Sequence, residues 1–268
     1  MRPDTSPRPA PSPGAGPATP PADPRAALLK DRNFRWMIGG SALSMLGDQF
    51  TLIALPWLVL QMTGDTLVLG TVLALISVPR ALFILIGGAL VDRHSPKQVL
   101  MITKYVNLVL LAALAGLVFA GTLSLWMVYA LSLGIGLATA FSIPAGTAMM
   151  PSVVARTQLQ AANGISLGLR QLTMFLGPLL AGLLIALFGA GDATGVATGT
   201  STHANATGIG MAFALDALSF AVSAWTLSKV QPLAGLAGLS APAAASQAVL
   251  AWVAQGLGHF WCDSELRA

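Results

Sequence analysis

Five charged side chains stand inside long apolar stretches of this 268-residue chain: Asp48, Arg80, Lys104, Arg170 and Asp216. Only 9% of the residues are charged, so each of these positions needs a physical reason. A carboxylate held among apolar side chains can take up and release a proton, and an Asp–Arg pair can neutralise itself. Both are chemistries of charge movement rather than of bond cleavage. No nucleophile–base pair, phosphate-binding loop or metal-ligand set accompanies them. Three scattered histidines and the single Cys262 do not form a metal-binding pattern, so neither enzyme activity, metal nor cofactor is expected.

The elements that must position these charges are apolar helices. Hydrophobic residues make up 55% of the chain and its mean hydropathy is +0.74, more apolar surface than a soluble domain can hide. Six segments approach the roughly 20 residues that cross a bilayer: Trp36–Leu60, Thr66–Val91, Val99–Ala120, Leu123–Ser142, Ile165–Phe188 and Ile209–Leu227. In hydrocarbon the backbone must satisfy its own hydrogen bonds, which makes the segments helical. The fold class expected is an all-α membrane protein with six transmembrane helices.

Residues 1–30 form a Pro-rich tail that cannot bury enough apolar area to order itself. Residues 31–230 form the membrane domain. Residues 231–268 form a linker followed by an amphipathic helix lying on the membrane face. Within the connection 156–160, Thr157 and Gln160 stand at capping-box spacing.

Lysine and arginine gather on alternate connections. Arg25, Lys30, Arg32 and Arg35 precede the first segment, Arg93 and Lys97 separate the second and third, Arg156 the fourth and fifth, and Lys229 follows the sixth. The other connections carry none. By the positive-inside rule both termini are cytoplasmic, and the protein is a multi-pass protein of the cytoplasmic membrane. This flanking pattern also accounts for the net charge of +4 without nucleic acid as a partner.

Asp48 lies twelve residues into the first segment, about 18 Å deep at 1.5 Å per residue. Arg80 lies eleven residues before the end of the second, about 16 Å by the same rise. Similar depth permits an ion pair, either as mutual neutralisation or as part of a coupling device. Asp216 is the third intramembrane charge. Lys104 has a stem long enough to snorkel toward the cytoplasm, and Arg170 fits a cytoplasmic contact better than a substrate site. Met45, Gln49, Phe50, Trp57 and Met174 could line an apolar cavity or simply pack.

Two motifs add specificity. Gly88-Ala89-Leu90-Val91-Asp92-Arg93-His94-Ser95-Pro96-Lys97 resembles the loop signature G-x-x-x-D-R-x-G-R-R/K of the major facilitator superfamily. Gly88, Asp92, Arg93 and Lys97 match it, and Ser95 and Pro96 depart from it. On the fifth segment Gly164, Thr173, Gly177, Pro178, Ala181 and Gly182 resemble that superfamily's antiporter signature G-x8-G-x3-G-P-x2-G-G, with Thr173 and Ala181 replacing glycine. The sequence is similar to the macrolide- and siderophore-exporter branch. Its fourth segment lacks the Arg-x-x-Gln-Gly element of classical drug–proton antiporters.

The resemblance implies the N-terminal six-helix half of a twelve-helix exporter, built from inverted three-helix repeats, with substrate bound between halves. It implies a small-molecule substrate, protons as coupling ion, alternating access, and as partner either a C-terminal half or a second copy. The alternative expectation is a truncated membrane fragment or assembly subunit without transport of its own.

Overall fold

The computed structural model describes residues 24–93, 95–189 and 201–231. They form a short helix α1 (Pro24–Lys30) and six long ones: α2 (Arg32–Thr63), α3 (Thr66–Arg93), α4 (Pro96–Ala120), α5 (Leu125–Val153), α6 (Leu159–Gly189) and α7 (Ser201–Lys229). All six are long and apolar enough to cross a membrane, as the composition predicts.

Local chemistry sets the ends. Asp31 caps α2, its Oδ1 accepting from the backbone N–H groups of Asn33 (2.7 Å) and Phe34 (3.1 Å), two of the donors a helix start leaves without partners. Pro96 stands in the first turn of α4, where its missing N–H costs nothing. α2 and α4 end on Gly64 and Gly121, both at φ 65°, a conformation that glycine adopts without Cβ strain.

Three boundaries differ from those expected. The tail expected over 1–30 gives way to helix α1 at Pro24, and Leu28 is buried in a core it shares with Phe34 and Met149. α5 continues past Ser142 to Val153, through Pro144 and Pro151. Near these prolines two hydroxyls back-bond to their own helix, Thr147 to the Pro144 carbonyl (2.9 Å) and Ser152 to the Met149 carbonyl (2.7 Å). Entry to α6 is a 3₁₀ turn, Arg156–Gln158, and among the described residues Thr157 and Gln160 make no capping-box hydrogen bonds. The amphipathic helix expected near the C-terminus lies outside the described residues, as does His94.

α2 packs on α7 and α6, α5 packs on α4 and α3, and α4 packs on α7. Exchanging α2 with α5, α3 with α6 and α4 with α7 maps these five pairings onto themselves, while α6 also packs on α7 and the corresponding pair, α3 and α4, barely touches. The two three-helix units share a plan in part. Small residues permit the closest crossings: a Cβ on Gly40 would meet the Thr226 side chain, one on Gly136 the backbone of Ile76, and one on Gly210 the Phe119 ring. Without a hydrophobic drive between helices in lipid, such backbone approach supplies much of the packing energy.

The core has three levels. One apolar cluster, including Phe34, Met37, Leu100, Met149 and Leu227, sits at the end that carries Lys and Arg, here termed the basic end. A second, including Leu58, Leu114, Val118, Val128 and Phe213, sits toward the opposite end. Between them lie Ser44, Thr103, Lys104, Asn107, Asp216, Ser219 and Ser223, all buried.

Candidate functional site

That middle level is the candidate site, contributed by α2, α4 and α7. Asp48 stands half-way along α2, with Ser44 and Thr51 one turn to either side. Gly47 lets α7 approach, because a Cβ there would fall on Ser219 and on Oδ1 of Asp216. Asp216 is 1% exposed. Its Oδ2 accepts from Thr51 Oγ1 across the helix interface, and Ser219 Oγ lies 3.2 Å from Oδ1. Hydroxyl donors thus offset part of the cost of removing this carboxyl from water.

Lys104 corrects the snorkelling expectation. Its side chain is 7% exposed, its Nζ donates to Ser44 Oγ at 3.2 Å, and it lies 5.5 Å from the centroid of the Phe220 ring. The stem turns into the bundle, where a hydroxyl acceptor and an aromatic face await it, and a desolvated ammonium gains more from an aromatic face than it does in water. Asp48 itself is exposed and accepts no hydrogen bond from a described residue. Ser44, which Lys104 bonds, and Thr51, which bonds Asp216, lie one turn to either side of Asp48 on α2, so Asp48 stands between the contacts that hold the other two charges. Arg80 is exposed on α3 and makes no ion pair with Asp48 among the described residues.

Sequence reasoning named Asp48, Arg80 and Asp216, expected Lys104 to turn toward the cytoplasm instead, and missed Ser44, Thr51 and Ser219. The missing signal was register. Ser44, Gly47, Asp48 and Thr51 recur at i, i+3, i+4 and i+7, marking one polar face of an apolar helix.

The antiporter-type residues divide. Thr173, Gly177 and Ala181, four apart on α6, form a stripe buried against α2. Gln49 reaches it, donating to the Thr173 carbonyl at 3.4 Å, and a Cβ on Gly177 would strike the Gln49 side chain. Gly164 and Gly182 have open space around them and Pro178 is exposed. Arg170 is exposed on the same helix. Trp57 and Met174 are also exposed, while Met45, Gln49 and Phe50 are half-buried on α2. A cavity of about 820 Å3 lies instead between α4 and α5, lined by Ile102, Val106, Leu110, Gly134, Leu137 and Phe141 among others.

In the loop motif, Gly88, Asp92 and Arg93 fall in the last turns of α3. Lys97, in the first turn of α4, reaches the other way: its Nζ donates to the carbonyls of Ser228 (3.2 Å) and Val230 (2.7 Å) at the end of α7. Beside it Asn33 and Gln231 exchange hydrogen bonds at 3.1 and 3.3 Å. A cation on the last carbonyls of a helix complements its dipole. Lys97→Met is expected to lower stability by about 1–2 kcal/mol, as for a charged hydrogen bond left unmade, read as an earlier thermal unfolding in detergent. Lys97→Arg should restore most of it.

Six helices long and apolar enough to cross a membrane, with a polar layer buried between two apolar clusters, define a multi-pass membrane protein of helical-bundle type. Comparison with known proteins agrees. The family described as transmembrane secretion effector matches residues 24–200, and the chain belongs to this family of major facilitator transporters. It is 28% identical over 149 residues to macrolide efflux protein A of Streptococcus pyogenes, covering 56% of this chain and 37% of that protein. It is 29% identical over 231 residues to the multidrug efflux pump Tap of Mycolicibacterium fortuitum, covering 82% and 50%. Tap of Mycobacterium tuberculosis is 31% identical over 157 residues, covering 53% and 35%. The chain thus spans half or less of the length of these relatives. No solved structure matches it.

Proposed function

We propose that this chain is the N-terminal half of a secondary exporter that moves a small, drug-like or metabolite molecule out across the cytoplasmic membrane by proton antiport and alternating access. The observation that carries the reading is the mid-depth set of Asp48, Lys104 and Asp216, held between two apolar layers. Intramembrane ionisable groups are costly and belong to transport pathways more often than to packing. Asp48 is the exposed member, and it stands on α2 between Ser44, the partner of Lys104, and Thr51, the partner of Asp216. A proton arriving at Asp48 removes its negative charge from Lys104 and Asp216 together, so one protonation event alters the whole layer.

The poorly covered outer faces of α3 and α6 support docking of a C-terminal half or of a second copy. Between them, Leu67, Val78, Leu82, Leu172, Phe175 and Leu179 are exposed. The basic end faces the cytoplasm in this reading, following the asymmetry of Lys and Arg.

The test uses the chain together with its second half. Asp48→Asn is expected to abolish efflux driven by a pH gradient, a loss of about a hundredfold or more, the order seen when a positioned proton-transfer group is removed. Equilibrium substrate binding should survive, because the amide resembles the protonated carboxyl. Normal gradient-driven pumping by the variant would reduce Asp48 to a structural counter-ion. Absence of efflux from the unmodified assembly would favour a fragment or assembly subunit without transport of its own.

A further inference from the structure

We propose that the groove between α2 and α7 at the basic end is a binding site for the headgroup of an anionic phospholipid. A cavity of about 380 Å3 opens there, lined by Arg32, Arg35, Trp36, Gly39 and Thr226. The four α2 residues stand at i, i+3, i+4 and i+7, so both guanidinium groups share one helix face. Both are exposed and neither has an acidic partner among the described residues. The adjacent acid, Asp31, is occupied as the cap of α2.

The second wall comes from α7. Trp225 meets Trp36 edge to face, with ring centroids 5.3 Å apart and planes at 89°, and Lys229 Nζ lies 5.8 Å from the Trp225 ring. α7 is covered by α2, α4 and α6 on its other faces. Its exposed Leu218, Trp225 and Lys229 therefore point outward to where acyl chains lie. Trp and basic residues together at the end of a span mark headgroup depth. Leu43, one turn beyond Gly39 on α2, and Leu218 on α7 are both exposed and continue the groove toward the bilayer centre.

These features select the ligand. Guanidinium groups bind a phosphate through two parallel hydrogen bonds. Uncompensated positive charge disfavours a headgroup that carries its own cation. The apolar continuation asks for a molecule with acyl chains. A phosphodiester with net negative charge and two tails meets all three conditions, as in phosphatidylglycerol.

The experiment titrates the full 268-residue chain, purified and stripped of lipid in detergent, with phosphatidylglycerol or phosphatidylcholine and counts bound lipids by native mass spectrometry. The unmodified chain is expected to prefer phosphatidylglycerol by on the order of tenfold, as basic residues near anionic lipid provide. R32Q/R35Q should lose that preference. G39L should lose it as well with all charges kept, since a side chain at Gly39 meets nothing within 4 Å and would fill the cavity; it decides the matter should the double variant not fold. R156Q, at an exposed arginine on the entry to α6, should leave the preference unchanged. Equal preference in the G39L and unmodified chains overturns the site, as does an equal loss in R156Q. Displacement of bound phosphatidylglycerol by millimolar inorganic phosphate would make the pocket a soluble-anion site and overturn the lipid assignment.

Discussion

Lys104→Met should destabilise the bundle by about 1–3 kcal/mol, the scale for a charged hydrogen bond whose buried partner is left unsatisfied. The methionine fills the same volume, so the loss reports charge rather than a cavity. Without the ammonium, Ser44 loses its donor (3.2 Å) and the Phe220 ring loses the cation 5.5 Å from its centroid. Adding Asp48→Asn to the same chain should return a large part of the loss, because it removes the charge that Lys104 serves. The difference between the double variant and the sum of the singles measures the coupling, which for groups in one network runs to about 0.5–3 kcal/mol. Thermal unfolding in detergent, followed by monodispersity, reads all four proteins. Additive effects would show that Lys104 and Asp48 are energetically independent and would remove the layer as a unit.

Gly136→Leu should have an equally large effect for a different reason. A Cβ at this position on α5 meets the backbone of Ile76 on α3, and backbone cannot rotate aside as a side chain can. Overpacking a close contact costs about 1–3 kcal/mol where side chains absorb it, and a backbone clash lies at or above the top of that range. Because α3 touches little of the bundle besides α5, the expected result is loss of α3 docking and failure to accumulate folded protein. Gly116→Leu is the matched control: its Cβ meets nothing within 4 Å, and the variant should fold normally. A Gly136→Leu protein of ordinary stability would show that α3 and α5 can separate without cost.

The loop signature illustrates how far a motif carries. Lys97 was legible as a basic residue at a fixed offset from Asp92. Its bonds to the Ser228 and Val230 carbonyls were not, since they join positions more than 130 residues apart. Likewise the antiporter-type pattern on α6 was legible as small residues. Only the register against α2 separates Thr173, Gly177 and Ala181, which make the contact, from Gly164 and Gly182, which do not.

The sequence by itself determined the helical membrane class, the number of spans, and the charges that needed explaining at Asp48 and Asp216. These follow from local properties: hydropathy over some twenty residues, and the cost of a charge out of water. The tertiary structure decided where the long side chains go. Lys104 could have reached the membrane surface from its position on α4, and nothing in its neighbours along the chain says otherwise. Ser44 on α2 and Phe220 on α7 hold it inward, and both become its neighbours only when three helices cross. A flexible ammonium takes the direction in which its field and its ring contact are best satisfied, and that direction is a property of the assembled bundle.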